Sequence, residues 1–336
     1  MFKKKIRAKG DAVARRNKVG PAGEMLSSLA VRAALAALAL ILAFGSSAQA
    51  RKKKKTLPPP PADLAGHVNY LARQLTGVQI EDAEPVTRQI QKLVFDDLTE
   101  WLGQHPPSPT PAAANDAPHG VPHDAPYDVP YDVPYDVKVR RVLDHDFSLL
   151  HYPLVGQPAV FARPWKDGVL VGAGYMLGWT DQDRANVIGF FEVPYGAADA
   201  LHAVAPAQPV RPVRLAAVAH FVPGCDLNYA FPAPPGGVPA GQFWVLVYGT
   251  RLGESHPRLS ATLFAFDGAQ ATTLWQTRDA YDGSLTASGD RVSIRHMNER
   301  EFVQSATRGQ AAPHYEAVYK VTRAGLELES DRQVKP

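Results

Sequence analysis

A chain of 336 residues, 45% of them apolar, has room for one large domain or two smaller ones and can build a hydrophobic core. The formal net charge of +3 is unevenly distributed: the first 55 residues are strongly basic, and the rest carries 22 Lys/Arg against 31 Asp/Glu, a balance of −9. An acidic body argues against a nucleic-acid-binding protein, because phosphate binding requires a basic face. A single cysteine, Cys225, excludes an internal disulfide.

Residues 1–50 have the three-part layout of a secretory signal peptide. A segment rich in Lys and Arg is followed by an uncharged, mostly apolar run, Ala33–Gly45, and then by small residues in the A-x-A pattern at Ala48–Ala50. The run is short for a spanning helix, which needs about 20 residues. We expect export to the periplasm or the extracellular space, with cleavage after Ala50. The alternative is a single-pass membrane anchor that is not cleaved.

A basic and Pro-rich tip, residues 51–61, follows the leader and begins with five positive charges, which are Arg51, Lys52, Lys53, Lys54 and Lys55. Positive charge at this place resists transfer across a membrane. Either the basic residues ahead of the apolar run set the orientation, or the pair Arg15-Arg16 belongs to a twin-arginine export signal. Once cleaved, the tip is either a solvated tail or a contact to anionic lipid or wall polymer.

Residues 62–105 have the periodicity of a small helical hairpin. The apolar stripe of the first helix is Leu64, Val68, Leu71, Leu75 and Val78, and that of the second is Val86, Ile90, Leu93, Val94, Leu98, Trp101 and Leu102. Asp63 is placed to cap the first helix, and Pro85 suits the first turn of the second. Some 40 residues are too few for independent stability. Leu98 and Trp101 are therefore expected to dock on the β body, on a second copy of the chain or on another protein.

Residues 106–137 read as a disordered linker rich in Pro, Ala and Asp, and they contain a repeated Pro-Tyr-Asp unit. A proline at every fourth position holds the chain extended, which spaces successive aspartates roughly 12 Å apart, too far to share a metal ion. The linker is either a semi-rigid spacer or a ligand that offers Tyr127, Tyr131 and Tyr135 to a peptide-binding groove.

Residues 138–336 predict an all-β domain. Short apolar or alternating runs are separated by Gly, Pro, Asp and Asn, with turn dipeptides at Asp267-Gly268, Asp282-Gly283 and Gly289-Asp290. We expect a mainly β, antiparallel body, either propeller-like or a sandwich, preceded by the helical hairpin and the Pro-rich linker.

The stretch "ATLFAFDGAQATTLWQT", followed by "GSLTASGDRVSIR", resembles one blade of the quinoprotein-type β-propeller. The residues that carry the resemblance are Phe264, Phe266, Asp267, Gly268 and Trp275. It covers about 40 residues of the chain, and a closed propeller needs at least four blades. The resemblance implies blade-like sheets with partner-binding loops, and it carries over no cofactor and no binding residue.

Common catalytic and nucleotide-binding motifs are absent from the sequence. The best polar cluster is "LDHDFSLLH", where Asp144, His145, Asp146 and His151 are weak candidate ligands for a divalent ion. On a strand, the aspartates would point away from His145, so we read the segment as the polar start of a strand. Glu299 and Glu301 would likewise share one solvated strand face.

Two functions of different classes remain. The first is an exported, non-catalytic envelope or secreted protein that binds or scaffolds a partner, an unknown protein or an envelope polymer, through its β body, with no cofactor. The second is an extracytoplasmic hydrolase, with or without a metal ion, whose site is near Asp144 to His151.

Overall fold

The structure is a computed structural model, and it describes residues 59–75, 80–108, 133–151, 155–177, 185–196, 211–222, 225–239, 241–250 and 257–335. Pro60–Pro336 form one compact unit. Its helices and strands are, in chain order, α1 (Leu64–Leu75), α2 (Ile80–Gln104), α3 (Tyr135–Asp146), β1 (Ala159–Trp165), β2 (Gly168–Met176), β3 (Asn186–Pro194), β4 (Arg214–His220), β5 (Cys225–Ala230), β6 (Phe243–Thr250), β7 (Arg258–Phe266), β8 (Ala271–Ser288), β9 (Arg291–Met297), α4 (Glu299–Thr307), β10 (His314–Thr322) and β11 (Gly325–Val334).

The strands form two antiparallel sheets in which neighbours along the chain pair with each other. Sheet A has the order β1-β2-β3-β4, and sheet B runs from β5 to β11 without a crossover. As far as the described strands go, neither sheet closes on itself. The prediction of a mainly β, antiparallel body with a small N-terminal helical region is confirmed.

Strand β8 is 18 residues long and divides sheet B into two layers. Its first part pairs with β7 from Ala271 to Tyr281, and its last part pairs with β9 from Tyr281 to Ser288. The pairing shifts between Tyr281 and Ser284, where Asp282 has a φ of +47°. Asp282-Gly283 was predicted as a turn between strands, and this is wrong: the dipeptide is a bulge inside one strand. We call β5 to β7 with the first part of β8 the inner layer, and the last part of β8 with β9 to β11 the outer layer.

Three hydrophobic clusters separate four layers. The first joins α1, α2 and α3 to one face of sheet A, the second joins the opposite face of sheet A to the inner layer, and the third lies between the inner and outer layers. Because side chains alternate along a strand, odd-numbered residues of β2 such as Val171 face the helices and even-numbered ones such as Leu170 face sheet B. All nine residues of β2 are buried.

The predicted helical stripes cover sheet A. Leu98 is fully buried in the first cluster and Trp101 packs at its edge, so both contact this chain's own body.

The predicted N-terminal signals of the two helices have different outcomes. The side chain of Asp63 accepts from Gly66 N at 2.8 Å, as a helix cap does. Pro85 was predicted in the first turn of α2, but α2 begins at Ile80 and Pro85 lies in its second turn. No helix in the described ranges combines the length and apolar character needed to cross a membrane.

Two helices occur where strands were predicted. Helix α3 begins at Tyr135, inside the segment predicted as linker, and continues through the supposed strand start at Asp144. The all-β domain was predicted to begin at Lys138, but Val139, Leu143 and Asp146 form a buried stripe with helical spacing.

Helix α4 replaces the strand predicted at "REFVQ" and the solvated strand face predicted for Glu299 and Glu301. The side chain of Asn298 accepts from Arg300 N and Glu301 N, and acidic residues occupy the first turn, which is a good helix start. Residues 138–336 are therefore not all-β.

Close packing within the second cluster gives a prediction. A Cβ at Gly172 would overlap the ring of Phe161, which is itself packed against other aromatic rings, whereas a Cβ at Gly103 of α2 meets nothing within 4 Å. We expect Gly172→Ala to lower the free energy of unfolding by about 2 kcal/mol and Gly103→Ala to raise it by about 0.5 kcal/mol. Urea unfolding of both variants measures this, and a neutral Gly172→Ala would contradict the packing described.

Candidate functional site

The four residues predicted as metal ligands do not converge. Asp144, His145 and Asp146 are consecutive in the last turn of α3, so their side chains point about 100° apart, and His151 lies beyond the helix. Asp144 and His145 are exposed, whereas Asp146 is 1% exposed. Among the described residues, no three His, Cys, Asp or Glu side chains are placed to hold a metal ion together.

Asp146 is the unusual member of this group. It follows Leu143 by three positions, so the helical period carries it into the buried face of α3. Neither of its carboxyl oxygens has a hydrogen-bond partner in the part of the chain that the structure describes. The nearest ion-pair contact is 3.8 Å, from His145 Nδ1 to Asp146 Oδ1, which is too long for a hydrogen bond.

Burial sets the protonation of Asp146. Loss of hydration raises the pKa of its carboxyl to about 8, and the negative charge of Asp97 on α2 contributes in the same direction. The pKa of Asp97 is also raised, first by its own burial and then by Glu100, while His145 opposes the rise. A carboxyl with this pKa is mostly neutral at pH 7, so the pair binds a proton near neutrality. We take this pair, Asp97 and Asp146, as the candidate functional site.

The predicted interaction residues at the end of α2 contact α3. The Tyr135 hydroxyl donates to His105 O at 2.8 Å, and its ring lies 6.5 Å from that of Trp101, centroid to centroid. Burial raises the pKa of Tyr135. Tyr135 therefore fixes the start of α3 against the end of α2. Tyr127, Tyr131 and the basic residues Arg51 to Lys55 lie outside the described residues.

A second polar cluster, which the sequence did not indicate, surrounds Glu192 on β3. Its carboxylate accepts from Trp165 Nε1 at 3.0 Å, from Lys166 Nζ at 2.9 Å and from Arg214 Nη2 at 2.6 Å. Burial alone would raise the pKa of Glu192, but these hydrogen bonds bring it down to about 2. Since Arg214 Nη2 also donates to Gly268 O at 2.6 Å, the cluster links sheet A to the β7–β8 turn. All its charged members pair with one another, which indicates a structural role.

A third cluster lies on the outer layer and was also missed. His296 stacks on Tyr315, its Nε2 is 3.4 Å from Asp331 Oδ1, and the Tyr315 hydroxyl donates to Glu301 Oε2 at 2.7 Å. The hydrogen bond to Glu301 raises the pKa of Tyr315. Its members come from three strands and α4, so only the sheet order brings them together.

No protein-family model matches the chain, and neither the curated proteins nor the solved structures contain a match to it.

Replacing Asp146 tests whether its buried carboxyl is protonated in the folded protein. Its pKa is about 8 in the folded state against an ordinary value of 3.8, so between pH 4 and pH 8 the folded protein holds one proton more than the unfolded chain. The free energy of unfolding therefore falls as pH rises through this window. We expect Asp146→Asn to remove that dependence, raising the free energy of unfolding at pH 8 by about 2 to 5 kcal/mol and changing it by less than about 1 kcal/mol at pH 4.

Urea unfolding at pH 4, 6 and 8 measures this effect. Asp144→Asn is the matched control, because Asp144 is an exposed carboxylate on the same turn and should change stability by no more than about 0.5 kcal/mol. An Asp146→Asn protein with the same pH slope as the parent would show that Asp146 is ionised in the folded state.

Proposed function

We propose that this is an exported, non-catalytic envelope or secreted protein that binds or scaffolds a partner through its β body. The observation that carries the proposal is the order of parts at the N-terminus. A basic segment, an apolar run and an A-x-A pattern ending at Ala50 precede a compact unit that begins at Pro60. Cleavage after Ala50 would thus leave the whole folded unit intact.

The outer layer is the surface that we assign to the partner. Three large apolar side chains in the described ranges are well exposed: Leu328 on β11 of the outer layer, Val303 on α4, which connects β9 to β10, and Leu149 after α3. Residues 327–333 of β11, the terminal strand of sheet B, are all exposed. An edge strand of this length offers main-chain groups for addition of a partner strand.

Charge on the outer layer favours a selective contact. Arg291 pairs with Glu329 at 3.1 Å and Arg332 with Glu316 at 3.2 Å, so the surface carries both signs at short spacing. Charged side chains on an edge strand discourage indiscriminate strand pairing. A partner strand that pairs with β11 would have to place opposite charges against these positive and negative side chains, which makes the contact specific.

The resemblance to a quinoprotein-type propeller blade enters the proposal as architecture alone. We infer that the hairpin of β7 and β8 serves as a blade-like support for the partner surface. The proposal assigns it no cofactor.

The first test follows the full chain in its native cells. The proposal predicts that the protein is in the envelope or secreted fraction and that N-terminal sequencing starts at Arg51. A membrane-embedded protein that still begins at Met1 would support the anchored alternative, and a cytosolic protein that begins at Met1 would contradict export.

The partner surface is tested in the same cells by chemical crosslinking, with Leu328→Asp as the variant and Leu149→Asp as its control on the helical side. We expect the crosslinked partner to be lost with Leu328→Asp and kept with Leu149→Asp. Equal crosslinking by both aspartate variants would contradict the assignment of the partner surface to the outer layer. Metal analysis of the purified protein separates this function from the hydrolase alternative, because stoichiometric zinc or calcium that His145→Ala removes would favour the hydrolase.

A further inference from the structure

We propose that the docking of α3 on α2 and sheet A depends on a proton. The helix stays docked while the Asp146 carboxyl holds its proton, and it undocks when that proton is lost. This inference does not rest on the proposed function.

Helix α3 is held by few contacts. Its buried apolar side chains are Val139 and Leu143, with Phe147 just after its end. The ring of Phe147 packs on that of Tyr175 of β2, with centroids 4.8 Å apart. Two polar contacts, from the Tyr135 hydroxyl to His105 O at 2.8 Å and from Arg140 Nη2 to Gln157 Oε1 at 3.1 Å, are exposed and each adds little. A single buried charge is therefore large relative to what holds the helix.

Burial, the negative charge of Asp97 on α2 and the C-terminal end of α3 disfavour the ionised form of Asp146. On α2, Asp97 adds a negative charge, with Glu100 next to it. On α3 itself, Asp146 is the last residue, where the negative end of the helix dipole also opposes a carboxylate, and the exposed His145 is 3.8 Å away. On the side of sheet A, Tyr175 packs against Phe147, and burial raises the pKa of its hydroxyl, which stays neutral.

Loss of the proton is therefore coupled to exposure of the carboxyl. When α3 opens, Asp146 meets water and its pKa returns towards the ordinary 3.8, whereas in the closed state it is about 8. Between these values the open state holds one proton fewer, so each unit of pH raises the opening constant of α3 about tenfold. Above about pH 8 both states are ionised and the rise ends.

Native-state hydrogen exchange of the full chain, corrected for the intrinsic pH dependence of exchange, measures this opening. From pH 6 to pH 8 we expect the opening constant of amides in 139–146 to rise about 50-fold and then level off. The opening constants of amides in β9 and β10 of the outer layer should not rise in this way. Asp146→Asn should abolish the rise, and Asp144→Asn should retain it.

Asp97→Asn provides a second, independent variant. Removing this charge lowers the closed-state pKa of Asp146, so the rise should end at a lower pH than in the parent. The proposal is overturned by a flat profile in the parent, by an unchanged rise in Asp146→Asn, or by equal rises in α3 and in β9. If Asp146→Asn fails to fold, an unshifted end point in Asp97→Asn overturns it, and a shifted one supports it.

Discussion

The fold depends on the need to cover both faces of sheet A. Strand β2 is buried at all nine positions and β3 at all but two, so neither strand has a solvated side. An antiparallel sheet that is apolar on both faces requires a layer on each. The helices supply one layer and sheet B the other, which explains why the helical segment belongs to the same compact unit as the strands.

Glycines in β2 allow the second layer to approach. Gly172 leaves space for the ring of Phe161, and a Cβ at Gly174 would come within 2.6 Å of the Tyr229 hydroxyl oxygen. That hydroxyl donates to Ala159 O at 2.8 Å, which connects the inner layer to sheet A across the second cluster. The same packing that covers sheet A buries Asp146, because α3 lies over this sheet and its inward stripe ends on the Asp146 carboxyl group.

The sequence alone predicted the parts of the fold whose pattern is local. Continuous apolar runs indicated β2 and β3, helical spacing indicated α1 and α2, and Asp267-Gly268 indicated the β7–β8 turn, where Gly268 has a φ of +96°. It failed at α3, whose short inward stripe begins inside the Pro-rich segment and ends on the carboxyl of Asp146, and where a turn dipeptide is also compatible with a bulge, as at Asp282. The site was only partly predictable. Asp146 was among the candidates, but its importance comes from burial beside Asp97, which depends on how α2 and α3 pack.

Leu98 is the residue that tests the central constraint most directly, because it is fully buried in the cluster between the helices and sheet A. Leu98→Ala should weaken this cluster by about 2 to 5 kcal/mol. Native-state hydrogen exchange should then show the opening free energies of α2, β2 and β3 amides falling together, while those of β9 and β10 fall less. If α2 loses protection while β2 and β3 keep theirs, sheet A does not depend on its helical cover and the account is wrong.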